Sequence, residues 1–438
     1  MQAPAFAGEE YFPPMPAKAG NCFIKARGFS PVYQSNQIMS SVNSHIHLPP
    51  NFTAFETVAQ AVELASAQDI RVLGVSNYYD YSVYTEFAAL AGQHGIFPLF
   101  GLEVICLVGD LVQRGVKVND PSNPGKYYLC GKGITRFAPL ADDAAPLLQT
   151  IRDADSARMS AVTEKLASVF AGVGLETGLD AEAVKSLIVA RHGVPRETVY
   201  LQERHVAQAF QEALFEALPE SERTALLEQV FGAAPKALPN DTVGIQNEIR
   251  SHLMKSGKSA FVAETFVDFD HAYRLILALG GIPCYPTLAD GASPLTGYES
   301  PVETLIADLK SRGIPSAEFI PLRNSPETLS HYVHAMRDAG LFVTAGTEHN
   351  TLDLIPLAPA CIGGVPIPAD LQEIFWEGAC VVAAHQSLTG QGKPGFVDSR
   401  GKPNPAYASD DERITEFAKI GAAVISSPPG PQFWGNRI

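Results

Sequence analysis

Val42-Asn43-Ser44-His45-Ile46-His47-Leu48 is an apolar run that ends in two histidines separated by one residue. In a β-strand, residues i and i+2 share a face, so His45 and His47 at a strand end would aim both imidazoles the same way. That is a metal-ligand geometry, although an isolated H-x-H can equally be two histidines at a polar strand terminus. The surrounding chain decides between the two.

After the H-x-H, Pro49-Pro50 and Asn51 break the chain, and Thr53 with Glu56 three residues on reads as a capping box opening a helix. Ile70 to Ser76 then reads as a buried strand, followed by Asn77-Tyr78 and a helix from about Ser82 to Gln93. Ile96 to Leu102 is a third apolar strand, ending at Glu103. Strands alternating with helices at this spacing predict parallel strands joined by crossover helices, and in such barrels chemistry sits at the C-terminal strand ends. His45, His47, Asn77, Tyr78 and Glu103 all fall at such ends.

Between residues 138 and 259 the composition shifts to segments of helical periodicity with charged faces and no convincing strand. This reads as a helical insertion, a cap over the barrel mouth. The alternation returns after Phe261. Gly280 to Pro286 and Ala317 to Pro321 read as strands, and Leu341 to Thr347 is a last strong strand followed directly by Glu348-His349-Asn350. The expected organisation is therefore an extended N-terminal arm over 1–40, half-barrels over 41–137 and 260–390 around the 138–259 insertion, and a loop-rich tail over 391–438 with one helix near Asp411 to Ile420.

Composition limits the partners. The chain has 438 residues, 46% of them hydrophobic, enough to bury a large core. Its formal net charge of −15 argues against a nucleic-acid backbone or an anionic membrane as partner. No apolar run reaches the length of a membrane span, and no secretory signal is visible, so a cytoplasmic protein acting on a small molecule is expected. Cys22, Cys106, Cys130, Cys284, Cys361 and Cys380 lack C-x-x-C spacing and read as reduced core thiols. The oligomeric state is not legible.

Taken in order, these strand-end signatures are similar to those of the polymerase and histidinol phosphatase (PHP) family of metal-dependent phosphoesterases. The H-x-H corresponds to the opening motif, and Ser76-Asn77-Tyr78 stands where the family has Thr-Asp-His. Gly101-Leu102-Glu103-Val104 matches G-[IL]-E-[IV], and Tyr128-Leu129-Cys130-Gly131 resembles the His-containing strand. Cys284-Tyr285-Pro286 stands for Ala-His-Pro, and Gly346-Thr347-Glu348-His349-Asn350 for G-S-D-x-H. The resemblance covers roughly 41–137 and 260–351, and implies an α/β fold, a distorted (β/α)7-type PHP barrel.

By the same resemblance, His45, His47, Glu103 and Glu348 are the ligands of a first metal. The histidines that hold a second and third metal in the family are replaced by Tyr128 and Tyr285, and by Tyr78 and Asn350. Neutral tyrosine is a poor ligand for divalent metals. One divalent metal, Zn, Mn or Fe, is therefore expected, with a reshaped polar pocket where the others would lie.

The implied function is a metal-dependent hydrolase acting on a small phosphate ester through a single-metal-activated water, with Tyr78, Tyr128, Tyr285 and His349 as candidate catalytic residues. Arg323, Lys132, Asn77 and Asn350 are candidate substrate contacts, the first two as holders of a phosphate or carboxylate. Two alternatives stay open: a lyase, isomerase or non-phosphate hydrolase acting on a sugar or sugar acid, and a non-catalytic binding protein. An amidohydrolase barrel also opens with H-x-H, but the later elements fit the PHP pattern better.

Overall fold

The computed structural model describes residues 41–121 and 123–427. The expected arm over 1–40 and the last residues of the tail lie outside them. Eight strands build one sheet: β1 (Ser41–Ile46), β2 (Ile70–Val75), β3 (Phe97–Leu107), β4 (Lys126–Lys132), β5 (Val267–Asp268), β6 (Ile282–Thr287), β7 (Ser316–Phe319) and β8 (Phe342–Ala345). Seven of them follow the order β1-β2-β3-β4-β6-β7-β8, and the two-residue β5 pairs with the end of β3. The order is sequential, and a bridge between Ile46 and Glu348 brings the end of β8 back beside β1, so the sheet is a nearly closed, distorted barrel.

Strand direction departs from expectation at one place. β1-β2-β3 and β6-β7-β8 are parallel, but β4 runs antiparallel to both of its neighbours. The link from β3 to β4 carries only the five-residue helix Gly109–Gln113 and returns as a wide hairpin rather than a crossover.

The first-half helices sit close to their expected places. α1 is Val58–Ala67, but its N-cap is Thr57, whose side chain accepts from Gln60 N. Thr53, the expected cap, instead donates its hydroxyl to the His47 carbonyl at 2.8 Å and ties down the turn after the H-x-H. α2 is Tyr84–Gln93, and the five-residue helix above is α3.

The regular elements of the 145–254 segment are all helical: α4 (Ala145–Ala171), α5 (Ala181–His192), α6 (Glu203–Ala217), α7 (Glu220–Phe231) and α8 (Thr242–Ile249), with a 3-10 turn over Arg196–Thr198 and a π-turn over Arg250–Met254. It has a core of its own, in which Val162, Leu166, Phe170, Phe210, Leu214 and Ile249 are buried against one another. α4 bridges the two cores: Leu148 and Ile151 near its start pack with the barrel, whereas Met159 onward packs with the insertion. At 27 residues it is about 40 Å long. Asp180 and Asp241 cap α5 and α8 through backbone amides three residues on.

α9 (Phe269–Ala278), α10 (Val302–Ser311) and α11 (Pro326–Asp338) alternate with the second set of strands. α12 (Ala369–Gly390) and α13 (Asp410–Ser426) then pair with each other, and α12 lies against β8 and β1. The sequence reading gives no helix over 369–390. Ala379 to Ala384 is apolar all round and buried, so it shows no helical period. His385 on this helix is structural: Nε2 meets the Gly280 carbonyl at 2.8 Å and Nδ1 accepts from Phe396 N. Cys106, Cys130, Cys284, Cys361 and Cys380 are buried free thiols. No helix among the described residues is long and apolar enough to cross a membrane.

Candidate functional site

Both histidines of the H-x-H are buried where β1 meets the segment after β8. β1 ends at Ile46, one residue before His47, and its register with β2 shifts between Asn43 and Ile46. That irregularity turns the chain at the histidines. The carbonyl of His45 accepts from Thr347 N at 3.1 Å and Glu348 N at 2.8 Å, and His47 N donates to the Glu348 carbonyl at 3.0 Å. Glu348 and His349 take φ of 61° and 53°, a left-handed conformation that side chains other than glycine adopt at a cost of roughly 1–3 kcal/mol each. These hydrogen bonds hold them there.

His45 Nε2 and His47 Nε2 each lie 3.4 Å from Oε2 of Glu103, which β3 delivers from the facing strand. The approach lacks hydrogen-bond geometry: His45 Nε2, both ring nitrogens of His47 and Glu103 Oε2 are buried without a hydrogen-bond partner. The two imidazoles and the carboxylate form a group whose ligand atoms lie within 4.8 Å of one another. Buried polar atoms are nearly always satisfied, and three orphans converging on one point, His45 Nε2, His47 Nε2 and Glu103 Oε2, are what a metal ion resolves. The donor set therefore fits a divalent transition metal.

The other nitrogen of His45 is fixed from behind. Nδ1 lies 2.6 Å from Oε1 of Glu318 on β7, which also binds Lys132 Nζ and accepts from Thr344 Oγ1 at 3.3 Å. Lys132 Nζ further donates to the Ser44 carbonyl at 3.2 Å. Burial is the largest single influence and would lower the His45 pKa, but the Glu318 and Glu103 carboxylates together outweigh it and carry it up to about 9. Glu318 is itself held low, against burial, by Lys132 and His45, and Glu103 is held low, against burial, by its two histidines. Sequence reasoning missed Glu318. A lone acid inside the apolar stretch Ala317-Glu318-Phe319 was the available signal.

A cavity of about 410 Å³ opens beside this group, with His45, Glu103, Tyr78, Tyr128, Arg323 and Glu348 on its wall. Tyr78 stacks on His47, ring centroids 5.2 Å apart. Burial raises the pKa of both Tyr78 and Tyr128, so both stay neutral phenols. Glu348, expected as a fourth ligand, is instead gripped by the Arg323 guanidinium, with NH1 to Oε1 at 3.0 Å, and accepts from Asn350 Nδ2 at 2.6 Å. Arg323 and Asn350 thus reach the cavity with their polar groups on Glu348.

Four candidates lie elsewhere. Tyr285 is fully buried, its hydroxyl on Glu299 at 2.7 Å and its ring against Tyr127 and Tyr298. Asn77 exchanges hydrogen bonds with the backbone of Leu48. His349 stacks on Phe55, and its ring nitrogens meet Thr347 Oγ1 and the Ile355 carbonyl. Lys132 is spent on Glu318 and the Ser44 carbonyl beneath the histidines. These four support the site and do not face the cavity.

No family model matches the chain, and no curated protein does. Among solved structures, an amidohydrolase from Chromobacterium violaceum, determined with sulfate and no metal, is similar over 74% of this chain and 93% of its own, at 17% identity and TM-score 0.47. A Bifidobacterium adolescentis protein described as a metal-dependent phosphoesterase is similar over 76% of this chain and 94% of its own, at 13% identity and TM-score 0.49. At these values both are distant likenesses in chain path, and the function of this chain has to be read from its own residues.

Proposed function

We propose that this chain is a metal-dependent hydrolase in which His45, His47 and Glu103 hold one divalent ion, and that its substrate is a small phosphate ester. The observation that carries the reading is the convergence of three buried, unpartnered donor atoms, one each from His45, His47 and Glu103, beside a cavity. Two imidazoles and a carboxylate suit Zn²⁺, Mn²⁺ or Fe²⁺. Such an ion supplies Lewis-acid polarisation of a substrate oxygen and brings the pKa of a water toward neutrality.

The remaining work falls to the chain's own side chains. Glu318, by binding Nδ1 of His45, fixes which ring nitrogen faces Glu103. Tyr78 and Tyr128 offer O–H donors to substrate oxygens from the cavity wall. Arg323 and Asn350 keep Glu348 turned toward the cavity, where it is a second carboxylate within reach of a substrate or a water.

The test is turnover of a panel of phosphomonoesters, phosphodiesters and sugar-acid substrates by the full chain, as purified, after chelation and after reconstitution with each metal. Turnover of phosphate esters is expected to fall about 10³-fold or more on chelation, the scale of several kcal/mol of transition-state stabilisation, and to return with one of the metals. Undiminished turnover by metal-free protein would overturn the metal dependence. Turnover confined to substrates without phosphate would overturn the substrate class.

A further inference from the structure

The cavity wall contributed by the helical insertion carries more positive than negative charge. Arg158 on α4, Arg204 on α6, and Arg250 and Lys255 at the π-turn all line it. The carboxylates set against them are Glu203 and Asp155. Glu203 serves three of the cations, with contacts of 2.9 Å to Arg158, 2.8 Å to Lys255 and 3.6 Å to Arg250. Against its burial, those cations hold Glu203 well below the usual carboxylate range. Burial pushes Asp155 up instead.

Arg204 has no ion pair among the described residues. Its one hydrogen bond is a 3.4 Å contact from NH1 to Asn247 Oδ1, and its guanidinium stands 6.0 Å from the Phe52 ring. Nε of Arg250 is buried without a hydrogen-bond partner. A guanidinium has five N–H donors and stays charged, so desolvating it without an acceptor is costly. Burial and the neighbouring Arg250 charge lower the Arg204 pKa. Arg204 lines the same cavity as Glu103 and Glu348 of the barrel.

We propose that Arg204 and Arg250 form an anion subsite, supplied by the insertion, that binds a phosphate or carboxylate group of the substrate through forked guanidinium hydrogen bonds. This gives the insertion a role as a specificity element: at the barrel end of the cavity Arg323 and Lys126 are paired with Glu348 and Asp120, whereas at the insertion end four cations face two carboxylates. Planar guanidinium donors are the side chains best suited to such oxyanions. As a statement about the substrate, the inference rests on the hydrolase reading above. As a statement about anion binding it does not.

The experiment is calorimetric titration of the full chain with inorganic phosphate and, separately, with malonate at fixed ionic strength. It is run on wild type and on Arg204→Ala, Arg204→Lys, Arg250→Ala and the His45→Ala/His47→Ala double variant, with metal content measured on the same samples. Wild type is expected to bind at least one of the two anions at one site. Arg204→Ala and Arg250→Ala should each weaken that binding about tenfold or more, the worth of one charge-assisted hydrogen bond, with Arg204→Lys in between. The histidine double variant should retain the anion.

Binding unchanged in both arginine variants but abolished in the histidine double variant would overturn the inference, because the anion would then sit at the metal group. Binding of neither anion by wild type would overturn it as well. A wild type that binds the anion through Arg204 yet holds no metal would overturn the hydrolase reading and leave the subsite standing.

Discussion

Replacing Glu318 by Ala is expected to destabilise the protein by about 3–5 kcal/mol, because it strands Lys132 as an uncompensated buried charge. The side chains of Glu318 and Lys132 are only 1% and 4% exposed, so water cannot take over from the lost partner. The same substitution removes the acceptor of His45 Nδ1 and frees the ring to change tautomer. Metal affinity should therefore fall by about 10–100-fold. Urea unfolding and metal titration of the variant check the two effects. The double variant Glu318→Ala/Lys132→Met separates them: stability should largely recover, since a buried pair replaced by apolar side chains is often neutral, while metal affinity should stay low. A loss of stability under about 1 kcal/mol in the single variant would show that the pair is solvated, and that Glu318 is not the anchor described above.

Gly346→Ala is expected to have the second large effect, on both the fold and the metal. A Cβ at Gly346 would stand 2.4 Å from Cβ of His45 and 2.8 Å from its backbone nitrogen. No side-chain rotation relieves contact with a backbone atom, so β8 and β1 must part where Thr347 N and Glu348 N bond to the His45 carbonyl. Overpacking of this kind costs about 1–3 kcal/mol, and more where the backbone must move. His45 would move with its strand, away from Glu103. A Gly346→Ala protein of wild-type stability in urea and wild-type metal affinity would mean that this seam does not set the histidines' position.

Much of this arrangement is legible in the chain, for identifiable reasons. β1 and β2 are apolar strands followed directly by polar residues of the site, as expected, but β3 does not end at Glu103: it runs on to Leu107, because its second half pairs with β4, and Glu103 lies mid-strand. The antiparallel course of β4 is not legible, because the segment before it is long enough for either a crossover or a return, and only the pairing of Glu103 with Cys130 and of Cys130 with Cys284 decides. α12 is hidden because a helix buried on all sides has no polar face.

In the site, His45 and His47 at the end of β1 converge with Glu103, which comes from the middle of β3 and not from its end. Glu348 does not join them, since Arg323, three residues after β7 begins its turn, reaches it first. Tyr285, expected in the pocket, has its phenol turned to Glu299 and away from the cavity. Arg204 and Arg250 gave no sequence signal, because they meet only when α6 and the π-turn fold beside each other.

The most direct measurement is the metal content of the purified full chain by inductively coupled plasma mass spectrometry, beside the His45→Ala/His47→Ala variant with its folding verified by circular dichroism. The account predicts about one equivalent of zinc, manganese or iron in the wild type, acquired on supplementation if absent at first, and none in the folded variant. A wild type that takes up no metal under any supplementation, or a variant that keeps its full equivalent, would contradict it.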